Sequence, residues 1–436
     1  MNNHILILIA RNNWLMTTFL LAVVVSILSM IGFSGIAVDI GHNIPQGDLA
    51  TDYIIAVIWA IALGVSILVW PVRDQDRRSL LVLWSIKLLV TLGVMLFYEA
   101  NYETLDAYAY FANSRQGDSS LLEEVRIGAG TQNIIALSWL HNQLLPDSYH
   151  ALKITFSMIG LIAVYLFYRT AVMFLRCENI RIFYILALFP SILFWSSILG
   201  KEPIVLFGMA LYVYGVVGWH YFKRLRYLFF LACGVILAIF IRQWLGPILL
   251  LPLLIFAMQG IKNVVFRVMF IFLTIAACLL LISQFMERIS IKTIQDLLET
   301  TDKISRAWAI GGSAQEVNVD FTRIGSMLAF APIGVFTALF RPLPGEIFNP
   351  FALLAGLENI ALLGLLFLAI KRARWKDIRN PLVLWAISLV AIWATVYGFV
   401  SYQNLGTAVR YKLQILPMLV GLLLYLARRR SKASMF

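Results

Sequence analysis

The residues best suited to chemistry are a few carboxylates and cations in short polar stretches between long apolar runs. The carboxylates are Asp106, in the aromatic stretch LDAYAYF, and Glu202, in the stretch GKEP. The cations at the same predicted membrane face are Lys201, Arg242, Arg341, Arg410 and Lys412. Cations bind the oxygens of a phosphate group, arginine in bidentate fashion, and a carboxylate can act as general base toward a hydroxyl group. The set therefore predicts a phosphate-bearing substrate and a hydroxyl acceptor.

Asp106 has two interpretations that its spacing leaves open. In the first it is a catalytic base, or a ligand for a divalent metal such as Mg²⁺ or Mn²⁺, at the mouth of a cavity where Tyr108 and Tyr110 contact the substrate. In the second it caps an interfacial helix, because Asp is a favoured N-cap and Tyr is enriched at the level of the lipid headgroups. The nearby Glu99 and Glu103 are expected to be solvated loop charges.

The other charged residues also have structural alternatives. Lys201 and Glu202 could form an exposed surface pair that caps the next helix. Lysine and arginine side chains near a span end can extend toward the headgroups, and this is the expectation for Lys87. Arg341 and Arg410 lie on the face where basic residues have no topological reason to collect, which favours a functional role. Glu358, inside a predicted span, is expected to pair with one of the arginines.

Composition places the chain in a membrane. Its 436 residues are 61% hydrophobic and 13% charged, whereas a soluble protein is about 45–50% apolar and about 25% charged. The net charge of +12 comes largely from basic residues in short connections between apolar runs, which is the distribution expected on the cytoplasmic side of a membrane protein. The charge is therefore explained without a nucleic-acid partner.

Hydrophobic runs predict an all-α polytopic transmembrane bundle of about 12 spans, because a helix needs about 20 apolar residues to cross the hydrocarbon. Basic connections after every second span predict that both termini are cytoplasmic and that the first span is retained. Pro190 is expected to bend the fifth span. The predicted spans are residues 14–36, 52–72, 79–98, 151–175, 182–199, 203–222, 227–241, 246–260, 268–285, 350–370, 381–400 and 413–427.

The single predicted membrane domain, residues 1–436, has two large extracytoplasmic loops. Residues 99–150 are expected to carry interfacial helices, and residues 287–350 an interfacial helix over 291–308. Residues 323–350 are interpreted as a re-entrant or interfacial pair of half-helices on the outer face, because a simple span there would move the basic connection 371–379 to the outer face.

This layout resembles the GT-C superfamily of membrane glycosyltransferases, which take sugars from polyprenyl-phosphate-linked donors. In that superfamily one acidic motif lies in a large outer loop after an early span, and a second acidic position lies in a following short outer loop. Asp106 matches the first position and Glu202 the second. The resemblance implies catalysis by these two residues, a lipid-linked sugar donor, a glycan acceptor and contact with membrane lipids.

The span number and the outer arginines also resemble O-antigen polymerases and ligases, which join lipid-linked glycans and bind the pyrophosphate through such residues. In such an enzyme Arg341 and Arg410 would be the principal residues that bind the pyrophosphate. Both resemblances imply an enzyme of the bacterial inner membrane with its active site facing the periplasm. A flippase or transporter of lipid-linked anions is the alternative of another class. It is disfavoured by the few charges evident inside the spans and by the lack of an internal repeat.

Overall fold

A computed structural model shows that the chain consists of α-helices. It describes residues 35, 38–41, 44, 47–100, 106–307, 309, 313–315, 317, 319–347 and 349–428. Within these ranges there is no β-strand, and a single antiparallel bridge joins Ala314 to Asn404. The all-α prediction is confirmed for this part of the chain.

The helices follow one another with short connections. A further tight turn, Ile67–Val69, extends the first helix, and the second contains one wider turn over Val90–Val94. In chain order the helices are α1 (Leu49–Ser66), α2 (Asp74–Ala100), α3 (Asp106–Gln116), α4 (Gly130–Leu144), α5 (Tyr149–Leu175), α6 (Ile180–Leu188), α7 (Pro190–Trp195), α8 (Lys201–Phe222), α9 (Leu225–Ile241), α10 (Leu245–Gly260), α11 (Val264–Arg288), α12 (Ile294–Ala307), α13 (Ile324–Phe340), α14 (Pro350–Arg372), α15 (Trp375–Ile378), α16 (Pro381–Val400), α17 (Leu405–Lys412) and α18 (Leu416–Ala427).

Seven of these helices are long and apolar enough to cross a membrane: α1 with its added turn, α2, α5, α8, α11, α14 and α16. Each coincides with a predicted span, which supports a membrane-embedded helical bundle. The predicted first span, residues 14–36, lies almost entirely outside the described residues. The total of 12 spans and the cytoplasmic location of both termini stay predictions.

Three predicted elements have a different form. Residues 182–199 are divided into α6 and α7 at Phe189, because Pro190 has no backbone N–H to continue the first helix. The expected pair of half-helices in 323–350 is wrong, since α13 is one continuous helix followed by an irregular connection. In place of the last predicted span, 413–427, the structure has the shorter helix α18. A second short helix, α17, precedes α18 at an angle of 72°.

The bend between α17 and α18 leaves residues 413–415 outside both helices. Pro417 lies in the first turn of α18, where the missing N–H has no helical acceptor in any case. Non-helical backbone at membrane depth is tolerated only where protein buries it or where it lines a cavity. Residues 413–415 are buried, and the side chain of Gln414 accepts a 2.9 Å hydrogen bond from Trp393 Nε1, so protein contacts cover this break.

Contacts divide the chain into two compact units. The first comprises residues 1–165 and 196–204, and the second comprises residues 166–195 and 205–436. The first contains α1 to α4 and much of α5. The second contains α6, α7, nearly all of α8 and all later helices.

In the second unit, α13 and α16 approach each other backbone to backbone. A Cβ atom at Gly334 would lie 2.9 Å from the carbonyl oxygen of Gly398, and one at Gly398 would lie 2.6 Å from the carbonyl carbon of Gly334. Small residues permit such close crossings between membrane helices, where dispersion contacts replace the hydrophobic effect as the driving force. The two glycines therefore set the distance between these helices.

We expect Gly334→Ala to lower the free energy of unfolding by about 1–3 kcal/mol, because the added methyl group meets backbone that cannot rotate away. Gly325→Ala, on the same helix, is the control, since a Cβ atom there meets nothing within 4 Å. Its expected effect is a gain of at most about 1 kcal/mol. Thermal unfolding in detergent measures both variants, and equal melting temperatures would contradict the close crossing.

Candidate functional site

The C-terminal end of α17 joins two cations to two other helices of the second unit. The guanidinium group of Arg410 lies 5.7 Å from the ring centroid of Trp195, at the end of α7. The buried Nζ of Lys412 donates a hydrogen bond to Asn359 Oδ1 on α14. Arg410 is partly exposed whereas Lys412 is fully buried, so Arg410 is the better placed of the two to meet a ligand.

Tyr411 lies between these two cations in the sequence, and its ring contacts a third cation, Arg242. The guanidinium group of Arg242 lies 4.1 Å from its ring centroid, which is close cation–π geometry. Tyr397 packs edge-on against the same ring at 5.2 Å, and its hydroxyl accepts a hydrogen bond from Trp244 Nε1 at 2.9 Å. The buried Arg242 thus lies against one of two packed tyrosine rings.

Glu358 supplies the carboxylate of this region. Its Oε2 accepts a 2.7 Å hydrogen bond from the backbone N–H of Ser191 on α7, and its charge interacts with that of Lys412. Its buried Oε1 has no hydrogen-bond partner among the described residues. The predicted pairing of Glu358 with an arginine is wrong, because a backbone N–H of α7 occupies one oxygen and Lys412 is the neighbouring cation.

Arg341 reaches the same region along a chain of contacts. Its Nε donates to Glu346 Oε1 at 2.8 Å and its Nη2 donates to Gln315 Oε1 at 2.8 Å. The carbonyl oxygen of the next residue, Pro342, accepts a 2.8 Å hydrogen bond from Asn359 Nδ2, the amide that also holds Lys412. Arg341 therefore belongs to the network, but Glu346 already balances its charge.

The structure thus brings four predicted substrate-binding residues together in the second unit. We call them, with Glu358, the second-unit cluster: Arg242, Arg341, Glu358, Arg410 and Lys412. Ionisable groups at membrane depth are costly and by default mark a pathway or a site. Even with Glu346 counted against Arg341, the cluster has more cations than carboxylates, which suits an anionic ligand.

The first unit contains the remaining predicted site residues. Asp106 is exposed in the first turn of α3, where the helix dipole favours a negative charge. Tyr110, one turn later and so on the same face, lies with its ring centroid 5.8 Å from Lys201 Nζ. Lys201 Nζ also donates to Thr131 Oγ1 at 2.9 Å. The structure therefore joins Lys201 to the helix that begins at Asp106.

Tyr108 is partly buried, and Glu202 is fully buried. The Tyr108 ring packs edge-on against Tyr149 at 5.5 Å, and burial raises the pKa of its phenol above the ordinary value, so it stays neutral at physiological pH. Glu202 is buried in the first turn of α8. The interpretation of Lys201 and Glu202 as an exposed surface pair is therefore wrong for Glu202.

Sequence reasoning missed a series of buried polar contacts between α2 and α5 in the first unit. Glu99, expected to be solvated, is buried at the end of α2, where it accepts hydrogen bonds from Lys153 Nζ at 2.6 Å and from the Tyr149 hydroxyl at 2.9 Å. Further along the same two helices, Thr91 on α2 and Ser157 on α5 share a 2.9 Å hydrogen bond. We call this series the buried polar row. It consists of Glu99, Lys153, Tyr149, Thr91, Ser157 and Lys87.

Lys87 does not extend toward the headgroups as predicted. It is only 3% exposed, and its Nζ donates to the hydroxyls of Ser196 at 2.6 Å and Ser197 at 2.9 Å. Its position was the available signal, because the predicted span begins at residue 79, eight residues earlier, or about 12 Å along a helix. That depth exceeds the reach of a lysine side chain.

A buried aspartate closes the row at the start of α5. Asp52 Oδ1 accepts a 2.6 Å hydrogen bond from the Tyr149 backbone N–H, and Oδ2 bonds both the backbone N–H and the ring Nδ1 of His150. A carboxylate from α1 thereby satisfies the first N–H groups of α5, as an N-cap side chain would. This explains how an aspartate can be buried there.

The sequence also predicted a divalent metal at Asp106. Among the described residues, no group of three or more His, Cys, Asp or Glu side chains is arranged to hold a metal ion. Glu103, near Asp106, lies outside those residues. A divalent metal at Asp106 stays a prediction.

Comparison with protein-family models, with curated proteins and with solved structures finds no match for this chain. The resemblances to glycosyltransferases and to O-antigen polymerases therefore rest on the sequence features alone.

We expect Lys153→Met to lower the free energy of unfolding by about 3–5 kcal/mol, because it leaves the buried Glu99 carboxylate without its cation. The double variant Glu99→Gln/Lys153→Met should recover much of this loss, since neither charge remains. Thermal unfolding of both variants in detergent tests the pair. A double variant less stable than Lys153→Met would show that the pair does not act as a coupled unit.

Proposed function

We propose that the chain is an integral membrane glycosyltransferase that takes a sugar from a polyprenyl-phosphate- or pyrophosphate-linked donor. The observation that carries the proposal is the second-unit cluster at the break between α17 and α18. A helix break lined by cations suits an anionic group that enters from the lipid phase.

The chemistry requires the cluster to stabilise the leaving group. The acceptor oxygen forms a bond to the anomeric carbon of the sugar while the bond from that carbon to the donor phosphate oxygen breaks. The phosphate leaves with the bonding electron pair, and the acceptor proton passes to a carboxylate and then to water. Arg410 is the principal phosphate ligand in this proposal, because it is partly exposed and backed by Trp195.

Two carboxylates are candidates for the general base. Asp106 has this role by resemblance to the superfamily, with Glu202 as the second acidic residue. Glu358 has it by local geometry, because one of its oxygens is buried without a hydrogen-bond partner and Lys412 lies near. A base must be able to accept a proton from the hydroxyl group, and a carboxylate oxygen without a bound donor satisfies this condition.

We expect Arg410→Ala to weaken binding of polyprenyl phosphate about 10–100-fold, the cost of a charge-assisted contact of about 1.5–3 kcal/mol. Arg410→Lys should recover part of the loss, because it keeps the charge without the bidentate geometry. Arg323→Ala is the control, since this arginine is 81% exposed and bonded within its own turn to Asp320. Binding to purified protein in detergent is the measurement, and equal affinities for the two alanine variants would refute the assignment.

We expect Asp106→Asn to lower the rate of sugar transfer about 100-fold or more while donor binding stays within about twofold, because the change removes a base and keeps the shape. Glu358→Gln is compared in the same assay. A loss confined to Glu358→Gln would move the role of base to the second-unit cluster. Wild-type rates in both variants would exclude both carboxylates.

The polymerase or ligase remains the first alternative and is distinguished by the same variants. In that case Arg410→Ala abolishes product formation while Asp106→Asn leaves it unchanged. The product would also be a longer lipid-linked glycan or a glycan joined to another lipid.

The structure strengthens the alternative of a transporter. Few charges inside the spans were expected, yet Asp52, Lys87, Glu99 and Lys153 of the first unit are all buried within membrane-length helices. Buried ionisable residues are typical of ion and proton pathways. A protein that moves a lipid-linked anion across vesicle membranes without consuming it would belong to this class.

A further inference from the structure

The second unit contains a partly open apolar cavity that the proposed transferase chemistry does not use. It has a volume of about 390 Å³, within the range of about 300–1,000 Å³ typical of ligand pockets. Helices α5, α6, α8, α16 and α18 line it. Its walls include Phe167, Phe174, Leu186, Val217, Trp385 and Tyr425.

One cation lines this cavity. Arg428, at the end of α18, packs its guanidinium group 3.6 Å from the ring centroid of Tyr425 and donates from Nη2 to Asp377 Oδ1 at 3.0 Å. The carbonyl oxygens at this helix end would repel an anion. They are partly covered, because Arg428 donates to the carbonyl of Tyr425 and Arg372 donates to that of Ala427 at 2.8 Å.

The surroundings of Arg428 have an excess of positive charge. The connection that holds Asp377 carries five basic residues against this one acid: Lys371, Arg372, Arg374, Lys376 and Arg379. Asp377 is the one carboxylate of residues 371–379, so this connection together with Arg428 keeps a net positive charge, and an anion can be bound at the cavity while the Arg428–Asp377 pair stays intact.

We propose that this cavity binds an anionic phospholipid, with one acyl chain between the apolar walls and the phosphate at Arg428. The apolar walls favour a chain over a soluble anion, and the basic excess disfavours a zwitterionic headgroup, whose own cation would be repelled. The charge distribution predicts that this end faces the cytoplasm. The 12 residues of α18, about 18 Å in length, separate it from the break at 413–415. The lipid site is therefore independent of the proposed donor site.

Two glycines provide a matched test. Gly421 lines the cavity and a Cβ atom there meets nothing within 4 Å, so Gly421→Leu fills the cavity without a backbone clash. Gly364 on α14 has equally open space and does not line the cavity. Native mass spectrometry of the full-length protein in detergent compares the retention of phosphatidylglycerol and phosphatidylcholine with identical acyl chains.

Wild-type protein should bind phosphatidylglycerol about tenfold more tightly than phosphatidylcholine, and Gly421→Leu should weaken phosphatidylglycerol binding about tenfold, while Gly364→Leu leaves it within about twofold. The double variant Arg428→Gln/Asp377→Asn removes both members of the ion pair. It should keep lipid binding and lose the preference for phosphatidylglycerol. This variant leaves the cavity walls intact and tests the headgroup site even if Gly421→Leu fails to fold.

Three outcomes would overturn the proposal. The first is wild-type binding of phosphatidylglycerol by folded Gly421→Leu, and the second is equal binding of the two lipids by the wild type. The third is displacement of phosphatidylglycerol by an equimolar amount of polyprenyl phosphate, which would assign the cavity to the donor lipid. Loss of donor binding in Arg410→Ala, with phosphatidylglycerol retained, would show that the two sites are separate.

Discussion

A charge placed in hydrocarbon must find a partner, and this constraint fixes much of the helix arrangement within each unit. The Glu99–Lys153 pair joins α2 to α5, and Asp52 joins α1 to the first N–H groups of α5. In the second unit, Glu358 joins α14 to a backbone N–H of α7. Each contact leaves little freedom to slide one helix past another, because a shift of one residue would separate the groups. Apolar packing alone would tolerate such shifts more readily, since lipid tails and leucine side chains are equally apolar.

Aromatic rings stabilise the positive charge of several guanidinium groups in the second unit. Arg410, Arg242 and Arg428 each lie over a ring, those of Trp195, Tyr411 and Tyr425 respectively. A cation–π contact stabilises the charge without neutralising it, whereas a carboxylate partner cancels the charge that a phosphate would recognise. Arg341, paired with Glu346, illustrates the second case, and Arg428 combines its ring contact with an ion pair to Asp377. The second unit therefore contains both arginines suited to anions and arginines with a structural role.

Hydrophobic run length predicted the long membrane helices, and Pro190 correctly marked the division between α6 and α7. The sequence correctly predicted that the last span begins near residue 413, but it treated residues 405–412 as a loop, and only the three-dimensional packing shows that they form α17 at a bend of 72° to α18. The sequence also indicated Arg341, Arg410 and Lys412 as members of one site, from their position relative to the basic connections. It could not indicate which charge pairs with which. The partners of Glu99 and Lys87 are distant in sequence or lie on another helix, so neither burial could be inferred from local composition.

The end of α17 has a consequence for how this protein can vary. Residues 410, 411 and 412 direct three successive side chains to three different surroundings. Successive residues on an α-helix are rotated by about 100°, so a deletion or insertion within 405–409 would turn all three side chains away from their partners at once. The length of this short helix should then be far less variable among natural variants than the identity of its residues. An alignment containing such variants would show substitutions but almost no gaps between Asn404 and Lys412.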